Sequence, residues 1–409
     1  MKNMFCTIFL LLIPLSNAVA AIREKDRNFA PRVEQSFPID PQVKKLVAFW
    51  QIIFQKYPST TVLIHDTEDP TLLIDLVDMN VIAPSVKKVR GMSRDEFNKL
   101  TKAYMRRYQF AVSQIQKDPD AQFEVNSIEE RMLKVYRRDP LTAKRLKAGD
   151  VTVRAQQGLA DTFQNAANEA QKYLPFMEAT FAKAGLPVIL TRLPFVESMF
   201  NLSARSKVGA SGIWQFMPET AKIYMNVSPL FDERNSPFKA TRAAAKLMLD
   251  NYRELGSWPL AITAYNHGQS GLSKATKILG TRNLGTIIEK YSSPSFGFAS
   301  RNFYAEFIAA VSSYSQLQKQ GRIYKNPNFA YDELTLTKNT SLKRLAGERQ
   351  VSVETILLHN PCINSNWVQN NADVTLPSGF QIFLPQRLSR NVKISSELKS
   401  KKPQKLTTR

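Results

Sequence analysis

Set aside a cleavable leader and this chain keeps a single cysteine, and a single cysteine closes no disulfide. Cys6 lies in the apolar leader, and Cys362 stands alone in the remainder. The fold must therefore be held by its own packed core. The chain has 409 residues, 43% of them hydrophobic, which is ample for a core and suggests two or three domains. The small disulfide-stapled secreted class is excluded.

The leader reads "MKNMFCTIFLLLIPLSNAVAA": a lysine near the start, an apolar run from Met4 to Leu15, then Ala18-Val19-Ala20. This predicts a secretory signal over residues 1–20, cleaved before Ala21. The run is short for a membrane span, so cleavage is preferred over an uncleaved anchor. Cys6 sits at the front of the signal, which does not make an evident lipoprotein. The expected location is the periplasm or cell envelope. The formal charge is +21, and removing the signal takes one lysine and no acid, leaving 55 basic against 35 acidic residues, a net of +20. Such a balance predicts an anionic partner. Nucleic acid, an acidic membrane surface and an anionic cell-wall polymer all qualify by charge, and export argues against nucleic acid.

Residues 21 to about 35 read as a loose charged leader. "VKKLVAFWQIIFQK" (43–56) predicts an amphipathic helix ended by Tyr57-Pro58. "TTVLIHD" (60–66) and "TLLIDLVDM" (71–79) predict a small hairpin across "TEDP". Residues 93–172 read as long, charged and helical, with Ser93 as N-cap and Glu96 as its capping-box partner. Ser236-Pro237 predicts a helix start, and Gly256 its end. "WPLAITAYNHG" predicts a further short helix. Residues 331–386 read as a βααβ unit. The tail, 387–409, holds eight basic residues and one acid and reads as a solvated basic tail. The organisation expected is signal 1–20, mostly helical N-terminal region 21–154, compact helical domain 155–325, βααβ module 331–386, and tail.

The chemistry concentrates in "VESMFNLSARSKVGASGIWQFMPET" (196–220). Its one early acid, Glu197, follows an apolar run. Burial disfavours the charged form of a carboxyl and can raise its pKa from ~4.3 to roughly 6–7, where it donates protons well. Phe195, Val196, Met199 and Phe200 could supply the apolar setting. Gly209, Ala210 and Gly212 would let backbone approach a ligand. Trp214 and Phe216 offer flat faces of the kind sugar rings stack on. Gln215, Tyr265 and Asn266 offer neutral hydrogen bonds.

These residues carry a resemblance. Glu197, Ser198, Phe200, Ala204, Ser206, Gly209, Ala210, Gly212, Trp214, Gln215, Met217, Pro218 and Thr220 match the signature of soluble-lytic-transglycosylase domains. "AYNHG" (264–268) resembles the second motif of that family. The lead-in "YLPFMEATFAKAGLPVILTRLPFVESMFN" is similar to the membrane-bound lytic murein transglycosylase D subgroup, and the βααβ unit resembles a LysM peptidoglycan-binding module. The resemblance is strong over 155–325, weaker over 331–386 and loose over 22–150. It implies a mainly α chain with a goose-lysozyme-like helical catalytic domain, preceded by a helical region with a β-hairpin and followed by the LysM-like module.

It also implies a lyase that cuts the β-1,4 bond between N-acetylmuramic acid and N-acetylglucosamine without water, leaving 1,6-anhydro ends. The partner would be peptidoglycan glycan strands, with no cofactor; the basic tail could also meet an acidic membrane surface. Glu197 would act as acid, then base. Ser206, Gln215 and Tyr265 would hold the muramic ring and its acetamido group, Phe216 and Met217 would line the groove, and Asn266 would fix a loop or touch a sugar. Ordinary glycosidases need two carboxylates. Phe200–Pro218 contains neither Asp nor Glu, which favours one working acid, with the loop Asp232-Glu233 as the place from which a second could fold back.

Each of these residues also has a structural reading. Tyr265 could be a core tyrosine with a satisfied hydroxyl, Gln215 scaffold, Phe216 and Met217 plain core, Ser198 a helix-end residue and Cys362 an inert buried thiol. His65, His267 and His359 are scattered, which argues against zinc. Leu202 stands where the family usually has Pro, His267 where a small residue is usual, and "KNT" (338–340) where LysM units carry "GDT". The rival functions are a non-catalytic peptidoglycan-binding scaffold and a lysozyme-type hydrolase.

Overall fold

A computed structural model of the chain describes residues 37–82, 94–324, 331–371 and 373–385. The expected signal, the loose leader, the Ser93 cap and the basic tail lie outside the described residues. The chain divides into two compact units, Met1–Asn328 and Phe329–Arg409. Helices dominate the first, as expected.

The helix Pro41–Gln55 forms where the sequence repeats apolar residues at helical spacing, with Pro at its first turn. Its buried stripe, Val43, Leu46, Val47, Trp50, Ile53 and Phe54, enters one hydrophobic core with Phe163, Phe181, Trp214, Ala261 and Phe307. It lies along the long helix Phe298–Lys319. Trp50 Nε1 donates to buried Asn302 Oδ1 at 2.9 Å, and Gln51 and Gln55 donate to Ser312 and Ser313 at 2.8 and 2.9 Å. Part of the N-terminal region is thus packed into the same core as the later helices.

The hairpin is β1 (Thr61–Asp66) with β2 (Leu73–Asp78), antiparallel. A third strand, β3 (Val153–Gln157), pairs with the other edge of β1, giving the order β2-β1-β3. The helical expectation for 93–172 is corrected here. Its pattern holds for Arg94–Lys117, Ile128–Tyr136, Pro140–Ala148 and Ala160–Ala170 but is interrupted by β3. The strand reads "VRAQQ", half-buried and polar, so it carries no apolar alternation to announce it.

Strand alternation sends β1 to two cores. Val62 and Ile64 join a second cluster with Tyr108, Met132, Tyr136 and Leu146, while Leu63 joins the first. Asp66 follows Ile64 onto the second face. It is fully buried, accepts from Tyr136 Oη at 2.8 Å and lies 3.3 Å from Arg145. His65 follows Leu63 onto the first face, between the rings of Phe49 and Phe298 at 4.9 and 5.7 Å.

Pro237–Leu255 starts at Ser236, whose hydroxyl accepts from Lys239 N, and ends at left-handed Gly256. Trp258–His267 ends at Gly268. In the second unit β4 (Tyr331–Thr335) pairs with β7 (Gln381–Pro385) and β5 (Thr340–Ser341) with β6 (Thr375–Leu376). Helices Leu342–Arg349, Val353–His359 and Ser365–Asn370 lie between, one more than the two expected. Buried Asn360 acts as a strand surrogate for β7, donating to Phe383 O at 2.6 Å and accepting from Phe383 N at 2.8 Å.

Burial lowers the His65 pKa to about 4, so the folded protein holds the ring neutral where the unfolded chain, near 6.5, would begin to charge it. Its stabilising contribution is present above pH 6.5 and is lost as pH falls through 4. Thermal unfolding should therefore shift to lower temperature across that interval, and shift less in His65→Leu. Equal acid sensitivity of the two proteins would show that His65 has no part in it.

Candidate active site

Glu197 closes a four-residue helix, Pro194–Glu197. The chain then turns through Met199 and Phe200, both at positive φ, 51° and 56°. Two adjacent bulky residues in the left-handed region are costly and persist only where the surroundings enforce them. Burial of Phe200 does so. Its ring stands edge-on to Phe195 at 4.7 Å, Phe195 stacks on Phe163 at 4.8 Å, and Phe163 on Phe54 at 5.0 Å. A column of rings thus ties the Glu197 turn to the N-terminal helix. Ser198 Oγ donates to Ile213 O at 2.8 Å, which joins the turn to the loop 201–217. Ser198 is a helix-end residue with its hydroxyl committed.

That loop folds back on itself through bridges Arg205–Ser211 and Ser211–Phe216. Its glycines have different tasks. Gly212 (φ 77°) passes so close to Arg234 that an added Cβ would lie 2.0 Å from the Arg234 carbonyl oxygen. The close approach expected at Gly212 is therefore to the protein's own backbone. Gly209 (φ 95°) is less confined: an added Cβ would meet only the Pro218 ring, at an ordinary contact distance of 3.7 Å. Arg234, which sequence reasoning missed, organises the loop from beneath. Its guanidinium donates to Gly209 O at 2.7 Å and Phe216 O at 3.1 Å, and makes a paired contact with Asp232 at 2.8 Å. Glu233 in turn holds buried Lys239 at 2.7 Å. Asp232 and Glu233, weighed as a second working acid, are thus both held in ion pairs.

The expected sugar-stacking faces are corrected. Trp214 is fully buried, its Nε1 donating to Thr241 Oγ1 at 2.9 Å and its ring stacked on Phe181 at 5.7 Å. Phe216 is 2% exposed and packs against Tyr265, so it belongs to the core rather than to a groove wall. Met217 is 40% exposed and remains available to a ligand. Ser206 is half-buried and its Oγ accepts from Ala210 N at 2.8 Å. Gln215, at φ 48°, uses its amide nitrogen on Gly212 O and Ala204 O at 2.7 and 3.1 Å. Tyr265 Oη donates to Trp214 O at 2.8 Å. Asn266 is exposed and accepts from Ser300 Oγ at 2.9 Å. Ser206, Gln215 and Tyr265 thus all help to shape the loop, and Tyr265 also lies within electrostatic reach of Glu197.

The electrostatics single out two acids. Glu197 keeps some solvent contact as a residue, yet its carboxyl is ringed by protein. Burial, then the neighbouring Glu306, pushes its pKa up to about 8. Glu306 lies on Phe298–Lys319, which packs against the Glu197 helix. Burial raises its pKa to about 8 as well, with Arg154 opposing. Neither carboxyl has a hydrogen-bond partner among the described residues. Sequence reasoning missed Glu306 because "NFYAEFIAAV" carries no motif; the only signal was an acid within an otherwise apolar helical run. A cavity of about 930 Å³ lined by Phe54, Ser59, Asp161 and Gln164 contains none of the motif residues, and its one acid is held by Ser59.

Residues 175–286 match the family described as the transglycosylase SLT domain. The match covers less than half of the chain. The match falls within the 155–325 segment, and it contains Glu197, the loop and the "AYNHG" motif. Two relatives are similar across part of this region. A protein of Alteromonas sp. (strain M-1) named for tributyltin chloride resistance is 37% identical over 108 residues, 26% of this chain and 52% of its own length. Membrane-bound lytic murein transglycosylase D of Escherichia coli (strain K12) is 34% identical over 119 residues, 29% of this chain and 26% of its own length. The chain thus spans about half of one curated relative and about a quarter of the other. The solved 70 kDa soluble lytic transglycosylase of Escherichia coli is similar over 74% of this chain and 56% of that one, at 13% identity and a TM-score of 0.31, too low to argue from. Glu197 lies within the matched residues; Glu306 and Arg154 stand outside them.

Gly212→Ala should destabilise the SLT domain by at least about 2 kcal/mol, combining a positive φ with a backbone clash, whereas Gly209→Ala should cost only about 1 kcal/mol. Denaturant unfolding of the two variants compares them, and equal costs would contradict the packing role of Gly212.

Proposed function

We propose that this chain is a peptidoglycan lytic transglycosylase that cleaves the β-1,4 bond between N-acetylmuramic acid and N-acetylglucosamine, with Glu197 as the acid. The observation that carries the reading is the Glu197 carboxyl, which has no hydrogen-bond partner among the described residues and whose pKa burial pushes up to about 8. A carboxyl in that state donates to a departing glycosidic oxygen. The resulting carboxylate then takes the proton of the muramic C6 hydroxyl as that oxygen closes on the anomeric carbon, giving a 1,6-anhydro end with no water consumed. The substrate's acetamido group would steady the positive charge between the two steps. Ser206, Gln215, Tyr265 and Asn266 surround this chemistry as binding or loop-shaping residues, and exposed Met217 and Val208 offer apolar contact to a saccharide.

The second unit is proposed as a LysM-like glycan-binding module. The signal sequence expected over residues 1–20 and the E. coli relative, named a membrane-bound lytic murein transglycosylase, both favour the cell envelope. The net positive charge suits the carboxylates of peptide stems, and an acidic membrane surface is the second anionic candidate.

One observation favours a second reading. Glu306 gives the site another carboxyl, and two-carboxylate sites hydrolyse. Product chemistry separates the two. Purified cell wall digested with the wild-type protein should release muropeptides lighter by one water than hydrolytic products, and Glu197→Gln should release none. Full-mass reducing-end products would identify a hydrolase. Binding without cleavage by the wild-type protein would identify a scaffold.

A further inference from the structure

The helix Arg94–Lys117, outside the SLT match, buries one face and leaves the other bare. Phe97, Met105, Tyr108, Val112 and Ile115 enter the second hydrophobic cluster. The opposite stripe reads Asp95, Lys99, Lys102, Arg106 and Phe110, spaced i, i+4, i+7, i+11 and i+15, which the helical turn brings to one side. All five are exposed, Phe110 to 62%. After Glu96 the helix holds five basic residues and no acid. Lys99, Lys102 and Arg106 have no carboxylate partner among the described residues. Like charges one turn apart destabilise a helix, so this row gains the fold nothing.

The row begins beside the candidate active site. Asp95 lies 3.1 Å from Lys207, which belongs to the loop 201–217 that follows Glu197. Both side chains are exposed, so the pair stabilises little, but it marks helix and loop as neighbours. Val208, next to Lys207, is 74% exposed. An exposed surface thus leads from the loop onto the basic stripe, which extends roughly 22 Å from Asp95 to Phe110 at about 1.5 Å per residue.

We propose that this stripe is a docking surface for the peptide stems of the polymer being cut: Lys99, Lys102 and Arg106 take stem carboxylates, and the Phe110 ring meets aliphatic parts of the stem. The inference rests on the proposed function. Charge complementarity selects an anionic occupant. Continuity with the loop selects the wall over a lipid surface, because a polymer engaged at the loop reaches the stripe without leaving the protein. The stripe therefore acts on substrate capture and leaves the chemical step alone. It gives the N-terminal region a part in recognition that the matched domain does not contain.

The test compares the full-length wild-type protein with a variant carrying Lys99→Gln, Lys102→Gln and Arg106→Gln together, on purified cell wall and on the same wall with its free carboxyls converted to amides. All three positions are exposed, and the variant should unfold at no lower temperature than the wild type. On native wall at low salt its KM should rise roughly tenfold with kcat unchanged, since three modest exposed pairs are lost. The difference should vanish at 1 M salt, where the screening length falls to about 3 Å, and on amidated wall. Equal KM values on native wall at low salt overturn the proposal, as does a difference that persists on amidated wall. Weaker sedimentation with phosphatidylglycerol vesicles and an unchanged KM on wall would assign the stripe to lipid and overturn it too. If the wild type binds wall without cutting it, the proposed function fails. Co-sedimentation with native wall then decides this proposal by itself: weaker binding by the variant supports it, and equal binding overturns it.

Discussion

The arrangement of the first unit turns on the Glu197 carboxyl, largely surrounded by protein and given no hydrogen-bond partner among the described residues. An acid in that position costs stability, since its charged form loses hydration and gains nothing in return. Because the folded state raises the pKa of Glu197 to about 8, its favourable contribution is complete below the ordinary carboxyl pKa of 4.5 and drains away as pH rises through 8. Glu306 behaves in the same way. A fold keeps two such groups only if the surroundings are strong enough to hold them.

Those surroundings are visible. The turn after Glu197 is strained at Met199 and Phe200, and the ring column from Phe54 through Phe163 and Phe195 to Phe200 holds it. The loop opposite is held by Arg234, with two carbonyls and one carboxylate on a single guanidinium. Buried Trp214, by hydrogen bond and stacking, joins that loop to the helices beneath. The aromatic residues of the motif are thus the scaffold that enforces the acid's setting, while the surface left to a ligand is built of small and polar groups together with Met217.

Much of this was legible in the sequence for reasons that can be stated. The Pro41–Gln55 helix announced itself by apolar spacing, Pro237–Leu255 by its Ser-Pro start and glycine stop, and β1 by a β-branched run buried on both faces. Glu197 was legible because its setting is local. Strand β3 was not, because an edge strand of Arg, Ala and Gln needs no alternation. Phe216 and Trp214 were misread as sugar platforms because an aromatic residue has the same letter in a groove wall and in a core; burial decides, and burial is tertiary. Glu306 was missed because it lies far from Glu197 in sequence, and only the packing of Phe298–Lys319 against Pro194–Glu197 brings the two elements together.

The central claim is that the Glu197 carboxyl is protonated at neutral pH. A site-resolved 13C NMR titration of glutamate carboxyls, assigned by comparison with Glu197→Gln, measures this without reference to substrate. The account predicts that the Glu197 resonance titrates well above pH 7, near 8. Titration near 4.5, the ordinary carboxyl value, would contradict it.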